Sequence, residues 1–113
     1  MDTCEKPATN RIQQLNDQFR SSFMGGTVVL TRGVTALTDA KAFQLTNLVR
    51  LYDSFDAGND PNGEHDFGVI DLDQTRVFWK IDYYDKSLST ASPDPENARL
   101  TERVLTIMLA EEW

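Results

Sequence analysis

The sequence predicts an α+β domain in which the elements run α-β-α-β-β-α and the helices pack on one face of a small, mostly antiparallel three-stranded sheet. Three observations predict it. Ile12, Leu15, Phe19 and Phe23 recur at helical spacing near the start of the chain. Every second position is apolar in two consecutive segments, Ile70 and Leu72 within Phe67–Asp73 and Val77, Trp79, Ile81 and Tyr83 within Arg76–Tyr84, as in two strands that share one buried face. The chain has 113 residues, 40% hydrophobic and 26% charged, which suits a single domain whose layers share one core.

Each element has its own signals. Residues 1–8 carry Pro7 and no periodicity and read as a flexible arm, leaving 9–113 as one globular domain. Thr9 or Asn10 suits the cap of the first helix, and Gly25-Gly26 stops it. Gly26 to Arg32 is short and β-branched, a strand that Gly33 breaks. Thr38 or Asp39 opens a second helix, with Phe43, Leu45, Leu48, Val49, Tyr52 and Phe55 as its apolar positions and an end near Asp53. Asp56 to Asp66 is rich in turn-formers and aperiodic, hence a long loop, the kind of segment that carries binding residues. The two strands that follow form a hairpin. A turn at Gln74-Thr75 opposes Asp73 with Arg76, Leu72 with Val77 and Ile70 with Trp79; a four-residue loop preserves the same parity. After a polar connection from Asp85 to Pro95, a last helix starts between Asp94 and Asn97, with Leu100, Val104, Leu105, Ile107, Met108 and Leu109 as a wide apolar face. Glu111 and Glu112 at its end are mildly unfavourable for the helix dipole.

The net charge of −7 is localised. Residues 53–85 hold nine acids and two bases, whereas the rest of the chain holds nine of each. Charge runs of this kind usually serve solvation. The alternative is an acidic contact surface, and the net sign argues against direct nucleic-acid or anionic-lipid binding. No apolar run approaches the ~18 residues of a membrane span. The N-terminus has no apolar segment of the signal-peptide kind, and one cysteine, Cys4, gives no internal disulfide, so a cytoplasmic location is expected.

Catalytic motifs are sparse. Aligning Gly63 with the sixth position of an EF-hand loop puts Gly58 first and Val69 twelfth, so both end ligands are missing. A looser metal site from Asp60, Glu64, His65 and Asp66 stays open, as does acid–base chemistry there. His65-Asp66 resembles the doublet of metal phosphohydrolases, but the chain has one histidine. One Cys and one His do not fill a zinc shell, and a Cys4–His65 pair needs the arm folded over the loop. Phosphate-cradling glycine motifs are absent. No cofactor is expected, and a non-enzymatic role is favoured.

The stretch Phe78-Trp-Lys-Ile-Asp-Tyr-Tyr-Asp85 is the densest in aromatics. Strand alternation sends Trp79, Ile81 and Tyr83 to the core and puts Phe78, Lys80, Asp82 and Tyr84 with Asp71 on the other face. With no helix over that face, Asp71, Phe78, Lys80, Asp82, Tyr84 and Asp85 form a candidate protein-binding surface, aromatic anchors among charges. A homodimer is a further expectation for the chain.

Four spaced segments, Leu30–Val34, Asn59–Gly68, Phe78–Asp85 and Arg103–Ala110, together resemble a bacterial family catalogued as domain of unknown function 3768, over roughly residues 9–113. The resemblance implies a setting on plasmids and other mobile elements, and assigns no catalytic residue. The expectation is a small acidic binding protein of a mobile element, acting on a protein partner with a basic nucleic-acid-binding groove, as an inhibitor of a defence system such as a restriction or CRISPR nuclease. The alternative is a metal-binding domain or metal-dependent enzyme using the Asp60–Asp66 loop.

Overall fold

A computed structural model describes residues 8–113. The elements are α1 (Ala8–Ser22), β1 (Gly26–Leu30), α2 (Arg32–Thr35), α3 (Asp39–Arg50), β2 (Phe67–Leu72), β3 (Thr75–Tyr84) and β4 (Glu102–Leu109), followed by a 3₁₀ turn over Ala110–Glu112. The fold is α+β, but the sheet has four strands in the order β1-β4-β3-β2. β1 runs parallel to β4, and the other two pairs are antiparallel. Apart from Ala8, the expected 1–8 arm lies outside the described residues, as does Cys4. The first helix already includes Ala8, ahead of the expected caps Thr9 and Asn10.

The main correction concerns the last element. The segment read as a helix over Leu100–Leu109 is β4, a central strand paired on both sides. Arg103, Leu105 and Ile107 face the helices and are buried, while Val104, Thr106 and Met108 face the other way. A strand with apolar residues on both faces has no period-2 signature, so its spacing mimics a helix face. Asp94 and Glu96 accordingly begin no helix. The Asp94 Oδ1 accepts from the Glu96 amide at 3.2 Å within a turn.

The hairpin register also differs. The turn is Asp73-Gln74, and the pairs are Leu72 with Thr75, Asp71 with Arg76 and Ile70 with Val77. Asp73 and Gln74 both have positive φ, 51° and 68°, the conformation of a type I′ turn. β-branched Thr75 tolerates that conformation poorly, which moves the turn one residue back and the register by two. A shift of two leaves every side chain on its expected face.

The first strand ends at Leu30, because Thr31 begins the short α2, where only the break at Gly33 was expected. In α3, the Thr38 side chain accepts from the Lys41 amide at 3.2 Å, and the helix ends at Arg50, earlier than expected. α1 stops where Phe23 turns left-handed, with φ 61°, just before Gly25.

Phe19, Val34, Leu45 and Val49 from the helices meet Ile70, Val77, Trp79, Ile81, Leu105 and Ile107 from the sheet in one core. All the helices therefore lie on one face. Gly68 is required there, since a Cβ would overlap the Trp79 indole and the Tyr52 ring.

Candidate functional site

Two sets of candidate residues occupy opposite faces of the sheet. Asp60, Glu64, His65 and Asp66 lie in the long loop on the helical side, which α1 clamps. Gln13 Nε2 donates to the Gly63 carbonyl at 2.8 Å, and Asn16 Nδ2 donates to the Glu64 carbonyl at 3.0 Å and to the Tyr83 hydroxyl at 2.8 Å. Fully buried Asn16 also accepts from Arg103 Nε at 2.7 Å, and Tyr83 donates to Glu64 Oε1 at 2.8 Å. Helix, loop, β3 and β4 are thus joined through one amide. Every member of this set is satisfied, the condition under which a buried polar network adds specificity.

His65 sits in the left-handed region, φ 58°, and stacks on Phe55 with ring centroids 3.8 Å apart. Its Nδ1 lies 2.9 Å from Asp17 Oδ1, so that nitrogen carries the hydrogen donated to the carboxylate. Asp60 turns inward, and its Oδ1 accepts from the Glu64 and His65 amides. Burial, and after it the neighbouring Glu64 carboxylate, pushes the Asp66 carboxyl above its ordinary value. Burial likewise raises the Tyr83 phenol and lowers the Arg103 guanidinium.

Asp60 accepts backbone amides and lies 3.7 Å from His65 Nε2, Glu64 accepts from Tyr83, and His65 donates to Asp17. Among the described residues no three His, Cys, Asp or Glu side chains converge as a metal would require. Asn16, Asp17 and Arg103, which sequence reasoning did not single out, organise the loop. Asn16 shares a face with Ile12 and Phe19, a visible signal, whereas Arg103 faces the core only because its segment is a strand.

The opposite face of the sheet is open. Register places Asp71, Arg76, Phe78, Lys80, Asp82 and Tyr84 on it with Val69 and Phe67 of β2, and Val104, Thr106 and Met108 of β4. Val29 of β1 lies alongside Thr106 on the same face. The structure therefore brings together five of the six predicted contact residues. Asp85 lies at the edge, where its carboxylate accepts from the Ser89 amide and the Ser87 and Thr90 hydroxyls. Trp113, also unforeseen, folds under the sheet, its ring centroid 5.6 Å from Phe67 and 5.5 Å from Phe78. It remains 69% exposed, and Val29 and Val69 are exposed too.

The charges of this face are paired. Arg76 Nε donates to Asp71 Oδ1 at 2.8 Å and its Nη2 to Oδ2 at 3.1 Å, and Lys80 donates to Asp82. Beside the hairpin tip lies a cleft of about 410 Å³ lined by Leu37, Gln74, Thr75, Arg76 and Glu111 among others. Its guanidinium is already occupied by Asp71.

Glu112 has a structural role in place of the expected end of a helix. Glu112 Oε1 accepts from the Thr31 hydroxyl at 2.6 Å and Oε2 from the Gly33 amide at 2.9 Å, tying the 3₁₀ turn to the start of α2. The Thr31 hydroxyl, with backbone amides, holds that carboxyl below its usual value.

No helix among the described residues is long and apolar enough to cross a membrane. Neither the curated proteins nor the solved structures yield a match to this chain. Residues 30–112 match the family described as protein of unknown function (DUF3768). They take in α2, α3, the clamped loop and strands β2, β3 and β4, and the chain belongs to that family.

Proposed function

We propose that this chain works by binding a protein partner, stoichiometrically, through the open face of its sheet. The observation that carries this reading is an uncovered face of a four-stranded sheet with Phe67, Phe78 and Trp113 in mutual contact among Val29, Val69 and Tyr84. A contiguous apolar patch rimmed by charges is the usual composition of a contact surface. Aromatic side chains in such a patch are the usual anchors.

The acidity acts at longer range. Many acids of residues 53–85 are engaged locally: Asp56 and Asp60 accept loop amides, Asp71 and Asp82 pair with bases, and Asp85 caps a turn. What remains for a partner is the field of a chain with net charge −7, which draws it toward a basic surface such as a nucleic-acid-binding groove. In the mobile-element setting that the family resemblance implies, the chain acts as an inhibitor of a host nuclease of the defence type, occupying or flanking that groove.

The test is capture from a host lysate by the tagged chain, followed by addition of the chain to the identified partner at equimolar ratio. Loss of the partner's nucleic-acid binding, and failure of capture by a folded Phe78→Ala, Tyr84→Ala variant, is the expected result. Undiminished capture by that variant would exclude this face.

A further inference from the structure

We propose that in the absence of another partner the open sheet face is covered by a second copy of this chain, packed sheet on sheet about a twofold axis. The proposal rests on the reading that the open face is the contact surface, and adds a competition: the partner must displace the second copy.

Charge selects the occupant. The chain carries −7, all of it within residues 53–85, so approaches that bring those segments of two copies together meet like-signed charge. The open face is different. Its carboxylates are Asp71, Asp82 and Glu102, and each has a base within reach: Arg76 at 2.8 Å, Lys80 at 2.5 Å and Lys86 at 3.7 Å. Three acids against three bases leave this face neutral, and its apolar residues lie among them. Within the acidic part of the chain it is a region where two copies meet without net repulsion while removing Phe67, Val69, Phe78 and Trp113 from water.

Register supplies the geometry. In an isologous contact, whatever residue i meets on the partner, that residue meets i in return. Stacked sheets keep their strands within about 30° of alignment. A twofold crossing β3 at right angles between Phe78 and Lys80 sets β3 antiparallel to its copy. Arg76 then lies opposite Asp82 of the second copy, and Asp82 opposite its Arg76. On β4 the same axis sets Met108 against Thr106, since these pair with Phe78 and Lys80. Opposite charges meet twice at the ends; between them Phe78 covers the Lys80 stem of the copy, and on β2 Phe67 meets Val69. The outer side of α3, with Phe43 and Leu51 exposed, is a second apolar region, but nothing on it points to an occupant.

The experiment is sedimentation equilibrium on the purified chain over a concentration series up to about 200 µM, a range that detects micromolar association. A concentration-dependent rise to twice the monomer mass is expected. Arg76→Asp and Asp82→Arg, each alone, should weaken association about tenfold or more, and the double variant should restore it. The rescue is diagnostic, because within one chain the double variant sets the introduced carboxylate beside Asp71 and the introduced guanidinium beside Lys80, both like-charged neighbours. Circular dichroism checks that each variant is folded, and Phe43→Ser on α3 should leave the dimer unchanged. A monomer at every concentration, a folded double variant without rescue, or a dimer lost on Phe43→Ser overturns the proposal. A monomeric chain whose Phe78 and Tyr84 are still needed for capture would sink the dimer alone and leave the binding reading standing.

Discussion

Asp66 shows how the loop balances acid against acid. Its carboxyl is half-buried, with Glu64, Asp60 and Asp82 nearby, and each of these disfavours its charged form. A carboxyl whose folded-state pKa is raised makes the ionised protein less stable than it would be with a neutral group there. That cost is present at neutral pH and disappears as pH falls below the unfolded value of about 3.9, where both states are protonated. Asp66→Asn is therefore expected to raise the melting temperature at pH 7 and to leave it nearly unchanged at pH 3. A lower melting temperature at pH 7, or a gain independent of pH, would contradict this. Asp71, Asp85 and Glu112 shift the opposite way: Arg76, the Ser89 turn and Thr31 hold them low. Their contributions are present at neutral pH and fade on acidification through their folded values, though full exposure keeps each small.

At the scale of elements, the hairpin and β4 are the instructive cases. Asp73-Gln74 occupies a turn that favours Asn-Gly, because both central residues need positive φ. Gln74→Gly removes strain of ~1 kcal/mol and returns part of it as added freedom of the unfolded chain, for a net gain of about 0.5 kcal/mol. Urea titration should show a higher midpoint with an unchanged slope; a lower midpoint would mean that the Gln74 side chain makes contacts the turn depends on. The alternation in β2 and β3 was legible because one face of each meets the core and the other meets water. β4 was not, because it is a central strand whose two faces are both apolar, and Leu100 to Leu109 fits a helix by spacing alone. Val104, Thr106 and Ile107 were the available sign, being β-branched, but β propensity follows from packing neighbours that a single segment does not specify. The short α2 was hidden for a related reason: Glu112, 79 residues from Gly33, supplies a bond to its first turn.

For the whole molecule, charge and shape act at different ranges. The field of seven net negative charges extends about one Debye length, ~8 Å at physiological ionic strength, while the open face is neutral on contact. Association with a basic partner should accordingly slow several-fold between low salt and about 0.5 M salt, with dissociation little changed. Surface plasmon resonance separates the two rates, and a salt effect confined to dissociation would place the charge inside the interface instead. That the candidate contact residues share a face was legible in advance, because strand parity survives a register shift of two. Trp113 was not, since its packing on Phe67 and Phe78 depends on how β4 ends beside β3.

By itself the sequence determined the helical faces of α1 and α3, the alternation of the hairpin, the long loop and the concentration of acids at 53–85. These are local properties, set by side-chain spacing, backbone preference and composition. Only the tertiary structure decided that the last apolar segment is a strand, that it lies between β1 and β3, and that Asn16 joins the loop to β3 and β4. It also decided that the acids are largely paired or capping while the opposite face stays open and neutral. Such outcomes depend on contacts between residues far apart in the chain, which hydrogen-bond pairing and burial select together.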